Sequence, residues 1–243
     1  MARSRFSGRV VFGVAAVAAG VGVWRARRRL ADRLSTRLFR QPGGWVARSF
    51  YRDAKPHQAS FRETLTALAL GPEDHLLELG CGGGTFLEWS LASGCTAKAI
   101  DHSPEMLVLA SRRNAAAIAA GRLELREADA ARLPFASGEF TAAATMNAFF
   151  FFPDPDATLS DVYRTLAPAG RLAIHTTDVA PPLIADRMRL YTDDELTRLL
   201  EHAGFEQITL RRTGPGGREQ LVTARKPGGS AGVADRPGHV PSM

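Results

Sequence analysis

The densest chemistry in this 243-residue chain lies in seven consecutive positions, Glu78-Leu79-Gly80-Cys81-Gly82-Gly83-Gly84. The apolar run HLLELG at their head reads as a buried strand, and the residues that follow read as a helix over Thr85–Ser93. Glycines at Gly80, Gly82 and Gly84, between a strand and a helix, let the backbone turn sharply and approach a ligand with no Cβ in the way. The helix start beyond them offers unpaired N–H groups and a positive dipole end to an anion. A plain structural turn would also use such glycines; the strand–loop–helix setting favours a ligand. A dinucleotide fingerprint begun at Gly80 would carry Gly or Ala at position 85, where Thr85 stands, and the carboxylate of Glu78 precedes the first glycine by two.

Such a loop works only at the edge of a sheet, and the chain has that rhythm. TAKAID is a second strand, followed by a long helix that Ser103 caps and Pro104 opens. RLELREAD and FTAAATMN read as the third and fourth strands, and Asp156–Leu166 as a helix. Pro168 and Gly170 end that helix before a fifth strand, RLAIHTT. Thr192-Asp193-Asp194-Glu195 has the capping-box pattern and opens a helix that Gly204 ends. FEQITLRR and REQLVTAR then form a closing pair around Gly214-Pro215-Gly216-Gly217, and helical stretches near 45–53 and 57–70 lead into the whole. Alternating strands and helices predict an α/β fold, doubly wound, with a mostly parallel seven-stranded sheet and an N-terminal helical extension. Its ligand belongs at the carboxyl ends of the strands, near the first two. With 45% hydrophobic residues, the length allows one such domain, over residues 41–225. The Pro-, Gly- and Ser-containing residues 226–243 are expected to be a disordered tail.

The net charge of +6 is unevenly spread. Residues 1–53 hold 12 Arg and 2 Asp, so the remainder carries a net −4. An acidic body argues against a nucleic-acid groove. Cys81 and Cys95 match no metal spacing, and nothing in the sequence requires a metal. Both are expected to be free thiols. Within the leader, Val10 to Trp24 is uncharged and is followed by Arg25-Ala26-Arg27-Arg28-Arg29. As a helix it would cover about 22 Å, against roughly 30 Å of hydrocarbon. Leu30, Leu34 and Leu38 then line one face of a basic amphipathic segment. Residues 1–40 are therefore read as a single N-terminal anchor or a membrane-surface helix that keeps the domain on the cytoplasmic side. A disordered basic leader, or a helix packed on the domain, fits the same pattern.

LLELGCGGGTFLE resembles motif I of the class I S-adenosylmethionine-dependent methyltransferases, and AIDHSPEML and EADAARLPF resemble their next two motifs. GEFTAAATMNAFFFFPDPDATLSDVYRTLAPAGRLAI is similar to the corresponding segment of the methyltransferase type 11 group, which includes the ubiquinone and menaquinone C-methyltransferases. The resemblance implies S-adenosylmethionine as cofactor, with its methionine end on Glu78, Gly80, Cys81, Gly82 and Gly84. It implies that Asp101 accepts hydrogen bonds from the ribose diol, a role suited to a carboxylate with two acceptor oxygens. It places His102 and Met106 on the adenine face, Asp129 at the adenine amino group, Ala130 beside the ring, and Asn147 among the cofactor-binding residues. The sequence departs from the group's pattern with Thr141 for Asp and with Phe150 and Phe151 for a frequent His pair, so an apolar wall replaces two polar groups.

The implied activity is methyl transfer to a small apolar or membrane-associated acceptor, lipid or quinone-like, with no nucleic acid involved. Candidate bases are His175, at the end of the fifth strand, and His57, with Tyr51 and Tyr191 behind them. The pocket is expected beneath Arg40–His57 and the loop Asp178–Tyr191. The rival classes are a non-catalytic, membrane-tethered cofactor-binding protein, a nicotinamide dehydrogenase, which fits positions 78 and 85 poorly, and an RNA or protein methyltransferase, disfavoured by the acidic body and the lack of an aromatic-basic patch. The acceptor and the oligomeric state are left open at this level. For the leader, a high-salt or carbonate wash separates the two membrane arrangements: an inserted segment stays with the membrane, and a surface helix is released because its headgroup attraction is screened over about 10 Å at 0.1 M salt. Full-length protein wholly in the soluble fraction at low salt would overturn both.

Overall fold

The computed structural model describes residues 57–180, 182 and 185–228, and the leader segments read above, from Val10–Trp24 to the stretch at 45–53, lie outside them. Helix α1 (Gln58–Leu68) precedes strand β1 (His75–Leu79), helix α2 (Thr85–Leu91) and strand β2 (Thr96–Asp101). Helices α3 (Pro104–Arg113) and α4 (Ala115–Ala119) lead to β3 (Leu123–Glu127) and β4 (Phe140–Met146). Helix α5 (Pro155–Thr165), β5 (Leu166–Thr177), α6 (Asp193–His202), β6 (Glu206–Thr213) and β7 (Glu219–Arg225) complete the domain. The seven strands run in the order β3-β2-β1-β4-β5-β7-β6. All pairs are parallel except the two that β7 makes, with β5 and β6. The order in which strands are added reverses between the parallel neighbours β1 and β4, which opens a crevice at their carboxyl ends.

Apolar layers on the two sheet faces hold this arrangement. Leu77, Leu79, Phe140, Leu159, Leu172 and Ile174 belong to one buried cluster. Leu76, Phe86, Leu87, Ala97, Ala142 and Ala144 belong to the other. Alternation along β1 sends neighbouring leucines to opposite faces, as the pleat requires. The short side chains of Ala142, Ala143 and Ala144 in the central strand are fully buried.

Several helix boundaries follow from caps. Ser103 Oγ accepts from Met106 N at 3.4 Å, and Pro104 occupies the first turn of α3. Thr192 and Glu195 form the reciprocal capping box of α6. Helix α5 starts one residue earlier than expected because Asp154 accepts from Ala157 N at 2.9 Å and places Pro155 at the first helical position. The expected long helix after Ser103 is two helices, α3 and α4. Asn114 interrupts it and donates its side-chain amide to the carbonyls of Gly84 and Ala110, both at 3.0 Å. Strand β5 is longer than RLAIHTT and starts at Leu166, with Ala169 in a left-handed conformation inside it.

At the sheet edge opposite the crevice, Asp74 collects Thr141 Oγ1 (2.6 Å), the Arg171 guanidinium and Gly71 N. Thr141, which replaces the group's usual aspartate, thus donates to a carboxylate supplied from the chain before β1. Lys226, at the start of the expected tail, is held: Nζ donates to the carbonyls of Tyr163 (2.8 Å) and Leu166 (2.7 Å). Among the described residues no helix is long and apolar enough to cross a membrane.

Gly84 links the glycine loop to α3. It is left-handed, and a Cβ there would lie 2.7 Å from Asn114 Nδ2 and 2.9 Å from Ala110 Cα. Gly84→Ala should therefore lower stability by about 2–3 kcal/mol, combining a forced helix shift with left-handed strain, as read from urea melts.

Candidate active site

The loop from Gly80 to Gly84 leaves β1 with Gly80, Gly82 and Gly84 all at positive φ. Gly80 must lack a side chain because a Cβ there would sit 2.6 Å from Ala148 Cβ, in the turn after β4. Gly82 differs: among the described residues nothing lies within 4 Å of the position its Cβ would take. The first glycine is therefore required by chain packing, while the second faces open space, the cradle that a ligand needs. The loop is tied to β2 by Asp101, whose Oδ2 accepts from Gly82 N (2.8 Å) and whose Oδ1 accepts from Ser103 N (2.9 Å).

Two buried carboxylates stand under this cradle. Glu78 is only 1% exposed, and its Oε2 has no hydrogen-bond partner among the described residues. Burial pushes its carboxyl well above the usual range, and the negative neighbour Asp101 adds to the shift. Burial also raises Asp101, against the opposing N–H bonds from Ser103 and Gly82. The thiol of Cys81 is buried and likewise pushed up by burial, then by Glu78 and Asp101. It is an unreactive thiol in this state, and Cys95 is free too.

The other expected cofactor residues divide between rim and interior. His102 is exposed on the rim, its Nδ1 3.8 Å from Asp101 Oδ1. Asp129 is exposed, and its Oδ1 accepts from Ala131 N at 2.9 Å. Ala130 is buried in the apolar cluster of the Leu79 face. Met106 is 1% exposed, so it supports the site from within the packing.

Asn147 sits at the junction of β4 and the Ala148 turn with φ of 53°, one of the few non-glycine residues here in the left-handed region. Its amide joins the two candidate histidines: Nδ2 lies 3.1 Å from His57 Nδ1, and Oδ1 lies 3.1 Å from His175 Nδ1. His175 is fully buried, and its Nε2 is 3.3 Å from Glu219 Oε2 and 3.4 Å from Thr213 Oγ1. Ser60 Oγ donates to the same Glu219 oxygen at 2.9 Å. Burial lowers the His175 pKa to about 4, against the pull of Glu219, and burial lowers that of His57 as well. Sequence reasoning named both histidines and Asn147 separately and missed Ser60, Thr213 and Glu219. No local spacing links residues on α1, β4, β5, β6 and β7.

Tyr191 is not placed to act as a base. It is 1% exposed, packs against Phe149 with ring centroids 5.2 Å apart, and has its pKa raised to about 12 by burial. Tyr51 and the roof over Arg40–Pro56 lie outside the described residues. The phenylalanine run is divided: Phe149 joins the main core, Phe150 packs with Met188, and Phe151 and Phe152 are half-buried. Arg189 N donates to the Phe150 carbonyl at 2.9 Å, so the expected covering loop does return to this wall. Among the described residues no group of three His, Cys, Asp or Glu side chains gathers as a metal site would.

Residues 77–174 match the profile of the methyltransferase domain family. The chain is 30% identical to a demethylmenaquinone methyltransferase of Lactiplantibacillus plantarum over 167 residues, covering 65% of this chain and 69% of that protein. The chain belongs to the S-adenosylmethionine-dependent methyltransferases. An O-methyltransferase of Pyrenophora dematioidea is 29% identical over 158 residues, and the chain spans 59% of that relative's length. The fold matches the Haemonchus contortus phosphoethanolamine N-methyltransferase 2, solved with S-adenosylmethionine, at a TM-score of 0.68. That match covers 79% of this chain and 59% of the other, at 14% identity.

The residues fit the methyltransferase cofactor. Its ammonium and sulfonium are cations, and at the head of the loop Glu78 has a buried carboxylate oxygen without a hydrogen-bond partner among the described residues. A raised carboxyl pKa means that the folded state holds a proton which the unfolded chain has released above about pH 4.5, so Glu78 costs stability as pH rises through that range. Glu78→Gln should thus be more stable than wild type in the ligand-free state, and the margin should widen above about pH 4.5. Melting curves across pH 4–8 check this. A margin that stays flat with pH would show that Glu78 ionises freely.

Proposed function

We propose that this chain transfers a methyl group from S-adenosylmethionine to a small acceptor that is apolar or membrane-borne, of the lipid or quinol kind. The observation that carries this reading is the open space at Gly82, whose N–H Asp101 holds, two residues along the loop from Gly80 and its close approach to the turn at Ala148. When bound, the cofactor supplies an electrophilic methyl on a positively charged sulfur, so orientation by the protein can provide much of the rate.

The roles follow from what each group has left to offer. Asp101 spends one lone pair of each oxygen on backbone N–H groups and keeps the others for the ribose diol. Glu78 supplies negative charge to the cationic end, and Gly80, Cys81 and Gly84 shape the loop around it. His102 and Asp129 stand at the rim for the adenine, with Ala130 and Met106 behind them. Asn147 lies beside Gly80 through the Ala148 contact, at the end where the methyl is delivered. Phe151 and Phe152 offer half-exposed aromatic surface to an apolar acceptor. The quinone methyltransferase among the relatives and the uncharged Val10–Trp24 run of the leader support a membrane-borne acceptor reached from the cytoplasmic face.

The test is incubation of the full chain with methyl-labelled S-adenosylmethionine and either demethylmenaquinol or a total lipid extract, followed by mass analysis for labelled product. Asp101→Ala is the companion variant. It should weaken S-adenosylmethionine and S-adenosylhomocysteine alike, by about 1.5–3 kcal/mol each, because both carry the same diol. Equal affinities in wild type and variant by calorimetry would reduce Asp101 to a structural clamp.

A further inference from the structure

The chain of polar groups that meets at Asn147 has a direction, and the direction follows from counting protons. As placed, the amide turns Nδ2 to His57 and Oδ1 to His175. An amide turned end for end keeps the same two distances, so the choice falls to the hydrogens. With Oδ1 on His175, the His175 proton must be on Nδ1. The Thr213 hydroxyl, 3.4 Å away, can donate to the bare Nε2, but that nitrogen still faces the nearer Glu219 Oε2 across 3.3 Å, lone pair against lone pair. A second proton on the ring would relieve this, but burial holds the His175 pKa at about 4. The reversed amide satisfies every member. Asn147 Nδ2 donates to His175 Nδ1, His175 Nε2–H donates to Glu219, and Asn147 Oδ1 accepts from His57 Nδ1–H. The bare nitrogen of the network is then His57 Nε2.

We propose that His57 is the proton acceptor of the methyl-transfer site, held in its Nδ1–H tautomer by the hydrogen-bond chain Glu219–His175–Asn147–His57. This rests on the methyltransferase reading above. His57 stands at the start of α1, half-buried, with Phe61 stacked at 6.3 Å and 29° to keep its plane. Asn147 immediately precedes Ala148, the residue that touches Gly80, so the base is set beside the loop that cradles the donor. In the step itself the acceptor's O–H, N–H or activated C–H proton passes to His57 Nε2. The electron pair left behind forms the bond to the methyl carbon, and the methyl's former bonding pair stays with the donor sulfur. The imidazolium so formed keeps its Nδ1–H on Asn147 Oδ1 and later returns the proton to water.

Asn147, His175 and Glu219 are positioning residues in this scheme. Glu219 has little freedom to turn away: a Cβ on Gly214 would lie 2.5 Å from its Cδ, and Ser60 holds its Oε2. This arrangement replaces the polar pair lost at Phe150 and Phe151 with one delivered from α1 and β5.

The decisive experiment is long-range proton–nitrogen NMR of the full chain labelled in its six histidines, with His57 assigned by its loss in His57→Gln. In wild type, His57 should carry its proton on Nδ1. Glu219 pulls on His57 through its charge, and Glu219→Ala also removes the acceptor that fixes the direction, so His57 should shift toward the Nε2–H form. Glu219→Gln, which keeps an acceptor oxygen but loses the charge, should leave the Nδ1–H form in place if the hydrogen-bond chain and not the charge sets it. Asn147→Leu cuts the chain in the middle and should shift His57 as Glu219→Ala does, if that variant fails to fold. Wild-type His57 found as Nε2–H, an Nδ1–H signal unmoved in folded Glu219→Ala or Asn147→Leu, or one lost in folded Glu219→Gln overturns the relay. Methyl transfer to demethylmenaquinol should fall at least 100-fold in His57→Gln, in the range of lost general-base catalysis, and undiminished transfer overturns His57 as base. Calorimetry on the wild type keeps the two readings apart: no S-adenosylmethionine binding sinks the proposed function whatever the tautomer. Binding without product from demethylmenaquinol counts against the acceptor class.

Discussion

The contact between Gly80 and Ala148 sets the rest of the site. Two neighbouring parallel strands, β1 and β4, end side by side, and the chain leaving each must turn in the same small volume. Only a residue without a Cβ lets the loop after β1 pass so near the turn after β4. That closeness lets one crevice hold the cradle at Gly82, the carboxylates beneath it and the amide of Asn147. A side chain at position 80 would part the two turns, and each group would then serve a different surface.

The electrostatics of the site come from the same crowding. Glu78 and Asp101 are both buried near the loop; burial raises the cost of ionising each, and Asp101 adds to the cost at Glu78. Asp101 is relieved by two backbone N–H donors, and one Glu78 oxygen has no partner among the described residues. A buried acceptor in that condition weakens the ligand-free fold and rewards a cation that approaches it. On the other side of the Ala148 turn, His175 is neutral for the mirror-image reason, since burial disfavours its cationic form. The site thus combines charge held in reserve with neutral imidazole groups, a few residues apart.

Much of this was legible in the sequence where the physics is local. The second strand ran from Thr96 to Asp101 as read, because its apolar alternation is bounded by polar ends. The capping box at Thr192 was readable for the same reason, since both its partners lie within four residues. The glycine loop was legible from its strand–loop–helix setting, and Asp101 was singled out only because AIDHSPEML resembles a methyltransferase motif. Failures came where a distant group decides. Nothing around Asn114 announces that its amide will cap Gly84, thirty residues away, and split a helix. Nothing in REQLVTAR marks Glu219 as the partner of His175, because the strand's alternation is the same with or without that bond. The long β5 was missed because Pro168 and Gly170 look like breakers, yet the strand bends through a left-handed Ala169 and continues.

The place of β7 in the sheet has a consequence for the order in which the molecule becomes competent. β7 is the last strand in sequence, but it lies between β5 and β6, and it carries Glu219, which Ser60 contacts across 159 residues. The glycine loop, Asp101 and the Ala148 turn all come from residues 78–148, whose pairings are comparatively short in range. A chain emerging from the ribosome can therefore shape the donor cradle while the final hairpin is still being made. The histidine network closes only when the carboxyl-terminal strand slots in, a late and non-local event. In a chain cut short before residue 219, β5 and β6 would lose the strand that joins them, and His175 would lack the carboxylate that faces it.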